Sequence, residues 1–455
     1  MTGRSRRKLK SRKRRLRWLP VCLILAVLAG TACFLYVRTG LTPQGLAEEP
    51  ISAQNGKGEH GTEQGTTHDT KDPTKADKNG NSLEPTSTIA EIGGDNTDGS
   101  PTNTDPTAPE PTEPAPRYTP DGHDTLPLKQ VDPDLITLRF AGDILFDESY
   151  AIMASLLQRS GPSPDISRAF DGEMLSLMRG ADIFMLNNEF PYSLRGAPLQ
   201  NKQFTFRARP QYASLLKEMG ADIVGLANNH VNDHGREAML DTFDTLDGIG
   251  MPFVGAGRDL AEASRVQYFT NGQVKIGIVA ATQIERLGNP DTVGATEQSP
   301  GVFRCMNPKG LVEKIREADA LCDCVIVFVH WGSEGKIETD SWQEDQAVQF
   351  AEAGADVIIG AHPHVLQKIV SVRGVPCVFS LGNYLFNSKT LDTGLAEVTL
   401  DAATGEVRGL RFIPALQSGC RTILLSGTEK ERVLDSLRKL SKGTTIGEDG
   451  SITFS

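Results

Sequence analysis

The C-terminal part of the sequence, residues 133–455, is predicted to have an α/β fold. Six short apolar runs that are typical of buried strands alternate with six segments whose apolar residues recur at helical spacing. This alternation favours a largely parallel or mixed sheet covered by helices. The strands are predicted at residues 135–140, 182–186, 222–226, 274–280, 324–329 and 356–359. The helices are predicted at residues 148–158, 172–179, 210–219, 235–249, 308–320 and 340–353.

Residues 1–18 form a basic tail, and residues 19–37 form an uncharged apolar run of 19 residues. As a helix this run would rise about 28 Å, which is enough to cross a bilayer. The first 17 residues hold ten Lys or Arg and no acid, a pattern that keeps the N-terminus in the cytoplasm. We therefore expect a transmembrane signal-anchor helix, which makes the chain a single-pass cell-membrane protein with an extracytoplasmic C-terminal domain. A cleaved signal peptide and lipidation at Cys33 are the alternatives.

Residues 39–132 are predicted to be a disordered linker. They are rich in Thr, Pro, Gly, Asp, Glu and Asn, and Tyr118 is their only aromatic residue. Such a segment buries too little apolar surface to offset the entropy lost on ordering. As a flexible coil it would have a root-mean-square span of about 50–60 Å, which would hold the domain clear of the membrane.

The charge of the chain argues against nucleic acid as a partner. The formal net charge is −11, and without the ten N-terminal bases the rest has 37 basic against 58 acidic residues, a net of −21. A body this acidic repels polyanions at long range. We therefore expect no nucleic-acid binding by the folded part.

The last hundred residues are predicted to form an antiparallel region that finishes the fold, with a second sheet packed on the first as one arrangement. Strand-like runs follow one another there at residues 367–372, 376–379, 395–400 and 407–413. Elsewhere the tripeptide Gly-Ala-Asp follows three predicted helices and ends at Asp182, Asp222 and Asp356. Glycine is common at helix C-termini, so we interpret the repeat as shared local chemistry and not as a duplicated domain.

Polar side chains follow five of the predicted strands, where ligands gather in open α/β sheets. All five histidines of residues 133–455 lie just past a strand-like run. Imidazole and carboxylate groups are natural ligands of divalent transition metals, so the sequence predicts a metal site at one edge of the sheet. The polar residues that follow the strands are Asp143, Asn187, Asn188, Glu189, Asn228, Asn229, His230, Asp233, His234, His330, His362 and His364.

Six motifs follow one another along the folded part. They are Ala141-Gly142-Asp143, Asn187-Asn188-Glu189, the run from Leu226-Ala227-Asn228-Asn229-His230 to Asp233-His234-Gly235, His330-Trp331-Gly332, Gly360-Ala361-His362-Pro363-His364 and Ser380-Leu381-Gly382-Asn383-Tyr384. Together they resemble the CapA family of capsule and poly-gamma-glutamate synthesis proteins, which is similar to the calcineurin-like metallophosphatases. The resemblance covers about residues 135–412 and implies a four-layer α/β/β/α metallophosphatase-like sandwich.

The resemblance also implies roles for individual residues. The implied metal ligands are Asp143, Glu189, Asn229, His330, His362 and His364. His230 would act as a general acid oriented by Asp233, although an N-cap for the helix near residue 235 is an equal reading of Asp233. The residues expected to contact substrate are Asn187, Arg207 and Asn383. The charge of Arg207 and Arg209, and not the resemblance, makes this pair a candidate to bind an anionic substrate, and a solvated structural pair is the alternative.

Two departures from the metallophosphatase pattern affect the expected metal centre. Asp143 is followed by Ile144 and Leu145, where that pattern has a His two residues after the Asp. The second strand ends in Asn-Asn-Glu, where the pattern has Gly-Asp. We therefore expect one or two divalent ions of the Mn, Zn or Fe class, in a single-metal or altered site.

Two functions follow from the resemblance. The first is a metal-dependent hydrolase or transferase, such as a phosphoesterase-like enzyme, in the biosynthesis of a capsule or poly-gamma-glutamate polymer. The second is a non-enzymatic accessory subunit of a complex that makes or exports this polymer. In both cases the expected partner is an anionic envelope polymer or its synthase complex.

Overall fold

The computed structural model describes residues 117–121, 124–129, 131–285 and 292–455. Within these ranges the chain forms nineteen strands and eight α-helices. The strands are β1 (Thr125–Pro127), β2 (Leu135–Ile144), β3 (Ile183–Asn188), β4 (Ile223–Gly225), β5 (Phe253–Val254), β6 (Ala256–Gly257), β7 (Gln267–Thr270), β8 (Lys275–Thr282), β9 (Gly301–Val302), β10 (Cys324–His330), β11 (Val357–Ala361), β12 (Ile369–Val372), β13 (Val375–Val378), β14 (Asn383–Leu385), β15 (Leu391–Asp401), β16 (Val407–Ser418), β17 (Arg421–Leu424), β18 (Thr444–Ile446) and β19 (Ser451–Phe454). The helices are α1 (Ala151–Ser160), α2 (Gly172–Arg179), α3 (Ser214–Met219), α4 (Gly235–Gly248), α5 (Leu260–Ala263), α6 (Lys309–Asp319), α7 (Ser341–Ala353) and α8 (Gly427–Leu440).

Two mixed sheets contain most of the strands. The seven-stranded sheet has the order β1-β7-β8-β10-β11-β13-β12, in which β8, β10, β11 and β13 run parallel. The second sheet has the order β18-β19-β16-β15-β2-β3-β4-β5, with β14 beside β2 and β17 beside β16. In this sheet β2 to β5 run parallel, whereas β15 is antiparallel to β2. The seven-stranded sheet thus has its parallel strands in the centre, whereas in the second sheet they form one half and the antiparallel strands form the other.

The two sheets pack face to face between two layers of helices. Alternate residues of β3 show this, because Ile183 and Met185 lie in a core shared with the other sheet, whereas Phe184 lies in a core with helices α1 to α4. In β10, Ile326 faces the shared core and Val327 faces α6 and α7. The result is the α/β/β/α layering that the sequence resemblance implied.

Local sequence explains where several helices begin. Asp171 caps α2, since its carboxylate accepts a hydrogen bond of 2.7 Å from the backbone N–H of Met174. Asp340 and Gln343 form a reciprocal capping box at the start of α7, where the Asp340 N–H donates to Gln343 Oε1 over 2.8 Å. These caps satisfy N–H groups that would otherwise lack partners.

The structure confirms the six strands and six helices predicted for the α/β part, with ends shifted by a few residues. The predicted helix 210–219 begins with a 3₁₀ turn, Pro210–Ala213, before α3. The antiparallel region also exists. Its arrangement differs from a separate second sheet, because β12 joins the edge of the seven-stranded sheet and β15 pairs with β2 in the other. Pairing partners of such strands lie far away in sequence, so local patterns do not reveal them.

The folded region begins earlier than the predicted boundary at residue 133. Residues 125–127, assigned from composition to the disordered linker, form β1, which pairs in parallel with β7. Leu126 and Leu128 pack against the core between the sheets, and this apolar contact offsets the cost of ordering so polar a segment. The predicted basic tail, the apolar run 19–37 and the linker up to residue 116 lie outside the described residues.

Among the helices of the described ranges, none combines the length and apolarity that crossing a membrane requires.

Candidate metal centre

The predicted ligands come together at the carboxyl ends of strands in both sheets. Asp143 lies near the end of β2, Glu189 directly follows β3, and His330 is the last residue of β10. His362 directly follows β11. All four residues are at most 4% exposed, so this edge buries carboxylates and imidazoles together. Burial of so many ionisable groups is costly unless they are paired or bind a metal.

Two glycines permit the close approach that builds this edge. The backbone N–H of Asp143 donates to the carbonyl of Gly382 over 3.1 Å. A Cβ atom on Gly142 would lie 1.8 Å from that carbonyl oxygen, so no other residue fits there. Gly382 has a φ of +67°, and its successor Asn383 pairs with Asp143 in the register of β14 and β2. Asn383, predicted from the resemblance, is thereby placed beside the first carboxylate.

The Glu189 carboxylate lies at the centre of the cluster. Its Oε1 atom is buried and has no hydrogen-bond partner among the described residues. Three imidazole nitrogens surround it, with His330 Nε2 at 3.5 Å, His230 Nε2 at 3.9 Å and His364 Nε2 at 4.0 Å. An unpaired oxygen in this position is what a metal ligand presents before its ion is bound.

Two groups of side chains have ligand atoms close enough to hold an ion, and they share Glu189. One group is Glu189, His330 and His362, and the other is Asp143, Glu189 and His364, with all ligand atoms of a group within 4.8 Å of one another. The amide oxygen of Asn229 is a further candidate ligand atom, and it lies 2.9 Å from His330 Nε2. Mixed imidazole and oxygen ligands suit divalent Mn, Fe and Zn, so the residues present fit such an ion.

The loop with His362 and His364 holds an unusual backbone conformation. His362 has a φ of +96° and His364 a φ of +60°, both in the left-handed region that residues other than glycine seldom occupy. This conformation directs the two rings to different partners: His364 Nδ1 lies 3.0 Å from Asp143 Oδ2, and the His362 ring lies 4.6 Å from that of His330. Strain of this kind is concentrated at functional sites.

Asn187 and Asn228 form a layer of amides beneath the ligands. Asn187 Nδ2 donates to Asp143 Oδ1 over 2.7 Å and lies 3.3 Å from both Glu189 Oε2 and His330 Nδ1. Asn228 Nδ2 in turn donates to Asn187 Oδ1 over 3.1 Å. Asn187 is only 1% exposed, a placement that favours positioning of the ligands over the substrate contact predicted from sequence.

His230 is held by a buried charge network that includes a residue the sequence did not indicate. Asp233 Oδ2 accepts from His230 Nδ1 over 2.7 Å and from the Phe206 N–H over 2.7 Å. Lys202 Nζ lies 2.6 Å from Asp233 Oδ1 and also donates to the carbonyl of Asn229. Asp233 therefore orients His230. Asp233 does not cap α4, because the N-cap residue of that helix is His234, whose side chain makes no capping hydrogen bond.

Burial shifts the protonation of the cluster. Desolvation, followed by the charge of Asp143, raises the pKa of Glu189 well above its usual value. Desolvation lowers the pKa of His330 well below its usual value and lowers that of His230. Burial also acts to lower the pKa of His364, but its hydrogen bond to Asp143 and the charge of that carboxylate outweigh burial and raise it. A bound cation would compensate the buried carboxylates.

Arg207 lies apart from the cluster, in the wall of a neighbouring cavity that His234 also lines. Phe206 packs on the cluster, since its ring centroid is 4.3 Å from that of His230, and it is not among the residues that line the cavity. Lys202 and Phe206 belong to a loop with no periodic pattern, so only their contacts identify them. Asn228 stood among the polar residues after β4, but nothing in the sequence distinguished its role from that of Asn229.

The α/β/β/α layers bring carboxylate, amide and imidazole groups from both sheets together at the strand ends. The chain belongs to the family of bacterial capsule synthesis proteins, PGA_cap, whose family model matches residues 137–388, more than half of the chain.

Relatives in this family cover most of the chain. It is 26% identical over 337 residues to the PGA biosynthesis protein CapA of Bacillus subtilis, covering 73% of this chain and 85% of that protein. It is 27% identical over 333 residues to the capsule biosynthesis protein CapA of Bacillus anthracis, with coverage of 70% and 76%. Among solved structures, a phosphatase of Mycoplasma pneumoniae aligns with 63% of this chain and 95% of its own, at 16% identity and a TM-score of 0.39.

Proposed function

We propose that the protein is a metal-dependent hydrolase or transferase that acts in the biosynthesis of a capsule or poly-gamma-glutamate polymer. Family membership and the names of the two Bacillus relatives support the polymer. The observation that carries the metal-dependent chemistry is the buried, unpaired Oε1 of Glu189 among three imidazole nitrogens.

The residues that would hold the ion are Asp143, Glu189, Asn229, His330, His362 and His364. Glu189 belongs to both groups of candidate ligands, so the same set supports one ion or two that share this carboxylate. A divalent ion in such a site activates water and stabilises negative charge that develops on an acyl or phosphoryl oxygen. The amide of Asn187 fixes the ligands in place from below.

The protein supplies the proton transfer through His230. Asp233 only accepts hydrogen bonds as a carboxylate, so the proton of the neutral His230 ring lies on Nδ1 and the Nε2 atom faces Glu189. From this position Nε2 exchanges a proton with the reacting group of a substrate. Lys202 fixes Asp233, and the Phe206 ring covers one side of the imidazole and excludes water there.

The proposal includes a location. The basic tail and the apolar run 19–37 favour a single membrane anchor, and the linker would place residues 133–455 outside the cytoplasm. There the domain would meet an anionic envelope polymer or the complex that synthesises it.

The test is the metal content of the full-length chain, purified in mild detergent, by elemental analysis. We expect about one or two equivalents of a divalent transition metal in the wild type and a loss of at least half of it in Glu189→Gln, because the neutral amide removes the central charge. Glu334→Gln is the matched control. Glu334 is an exposed carboxylate, and its negative charge also acts to raise the pKa of Glu189.

A folded wild-type protein without metal, even after incubation with Mn²⁺, Zn²⁺ and Fe²⁺, would overturn the metal-dependent proposal. It would leave the non-enzymatic accessory role in polymer synthesis. Equal metal loss in Glu189→Gln and Glu334→Gln would also contradict the proposal, because it would indicate general electrostatic binding of ions to an acidic surface.

A further inference from the structure

A cavity of about 590 Å³ lies next to the candidate metal centre. Two chain segments lead from the cluster into it. Asp233 holds His230, and the following residue, His234, lines the cavity. Phe206 packs on His230, and the following residue, Arg207, lines the cavity as well. The cavity and the candidate metal centre are therefore built on the same two chain segments.

The cations of this cavity differ in their partners. Arg209 Nε lies 2.6 Å from Glu148 Oε2, so its charge is already paired. Arg207 forms no ion pair with a described residue, and its guanidinium makes only a long hydrogen bond of 3.4 Å to the carbonyl of Arg195. Arg207 is thus the guanidinium of the cavity that is available to a ligand.

The carboxylates of the cavity are already hydrogen bonded. Asp147 accepts from the backbone N–H of Ser149 and from that of Arg207, each over 2.7 Å. Glu148 binds Arg209 and also accepts from the hydroxyl of Tyr212. Both carboxylates are therefore engaged by groups of the protein. The hydrogen bond from the Arg207 N–H to Asp147 also fixes the backbone from which the guanidinium extends.

His234 adds a second polar group to the cavity. It is only 8% exposed, and its Nδ1 atom is buried without a hydrogen-bond partner among the described residues. Burial, followed by the charge of Arg207, lowers the pKa of His234, which favours its neutral form. A buried imidazole nitrogen without a partner is costly unless a ligand or a water satisfies it.

We propose that this cavity binds an oxyanion of the substrate, a carboxylate or a phosphate, on the guanidinium of Arg207 beside the imidazole of His234. The planar fork of an arginine matches either oxyanion with two parallel hydrogen bonds. The inference rests on the proposed function, because the oxyanion would belong to the molecule whose reacting bond lies at the metal centre.

The test is isothermal titration calorimetry on the full-length chain after its metal has been removed with a chelator. The probes are inorganic phosphate and the dipeptide γ-glutamylglutamate, so that a phosphate and a carboxylate source are compared directly. We expect at least one of them to bind the wild type and to bind Arg207→Gln about tenfold or more weakly, as for loss of a charge-assisted hydrogen bond. Arg207→Lys should lie between the two, since it keeps the charge and loses the fork.

Arg209→Gln is the matched control, because it removes an equal charge from the same wall where the guanidinium is already paired. Its affinity should stay within about threefold of the wild type, since exposed pairs contribute little. Far-ultraviolet circular dichroism of each variant verifies folding. Absence of binding of both probes to the wild type, or equal weakening by Arg207→Gln and Arg209→Gln, would overturn the inference. Since the titration is done without metal, its failure is distinct from failure of the metal-content test.

Discussion

At the residue scale, a buried ion pair joins Lys202, in the irregular loop between β3 and α3, to Asp233, in the loop that follows β4. The side chain of Lys202 is 5% exposed and that of Asp233 is 0% exposed, so water screens neither charge. Asp233 accepts two further hydrogen bonds, from His230 and from the backbone of Phe206. The pair therefore connects the loop that carries Phe206 to the imidazole proposed to move a proton.

Replacing Lys202 by Met should lower the free energy of unfolding by about 3 kcal/mol, because it leaves the Asp233 carboxylate buried without its cation. Urea denaturation of wild type and variant at neutral pH measures the difference. Lys336→Met is the matched control, since Lys336 pairs with Asp340 where its side chain is 44% exposed, and its cost should be under about 1 kcal/mol. Equal costs for the two variants would contradict a special role for the buried pair.

At the element scale, one device joins neighbouring parallel strands. The Asp of each Gly-Ala-Asp repeat places its carboxylate on a backbone N–H of the adjacent strand: Asp182 on Thr137 at 2.7 Å, Asp222 on Phe184 at 2.9 Å and Asp356 on Val325 at 2.8 Å. In each case the N–H of the Asp donates to the carbonyl of the same partner over 2.9 Å. The repeat is confirmed as shared local chemistry that sets the register between strands.

Asp356 gives this device a measurable pH dependence. Burial raises the pKa of Asp356 from its usual value of 3.8 to about 6, in spite of the hydrogen bond from Val325. The folded state therefore binds the proton more tightly than the unfolded state, and the Asp356 contribution to stability falls as the pH rises from about 4 through 6. Asp356→Asn keeps an acceptor oxygen for Val325 and removes the charge.

Asp356→Asn should raise the free energy of unfolding at pH 8 by about 1–3 kcal/mol and leave it nearly unchanged at pH 4. Urea denaturation at both pH values gives the comparison, in which the pH 4 measurement serves as the control. A variant that is destabilised at pH 8 would show that the carboxylate contributes more as a hydrogen-bond acceptor than it costs as a buried charge.

At the scale of the whole molecule, the parallel strands of both sheets and most of the cluster could be predicted from sequence. Parallel strands place their carboxyl ends at one edge, so the residues after each apolar run had to meet, as Asp143, Glu189 and His330 do. The α/β/β/α layering came from the ordered motifs of the family. Both predictions rest on patterns that are local in sequence and repeat along the chain.

Contacts between distant segments without a periodic pattern could not be predicted. The pairing of β15 with β2 joins residues about 260 positions apart in sequence, and alternation within each strand does not identify its partner. Lys202 and the cavity around Arg207 depend on the path of an irregular loop between β3 and α3. The position of β1 could not be predicted either. This strand has only three residues within a polar segment, and it forms by pairing with β7 at the edge of the sheet.

The most direct test of the metal centre is X-ray absorption spectroscopy of the full-length protein loaded with one equivalent of Zn²⁺, compared with a His362→Ala/His364→Ala double variant. We predict nitrogen and oxygen ligands at about 2.0–2.1 Å, with imidazole scattering in the wild type that weakens in the variant. A zinc ion with oxygen ligands alone, or a spectrum unchanged by the loss of both histidines, would contradict a metal centre at the strand ends.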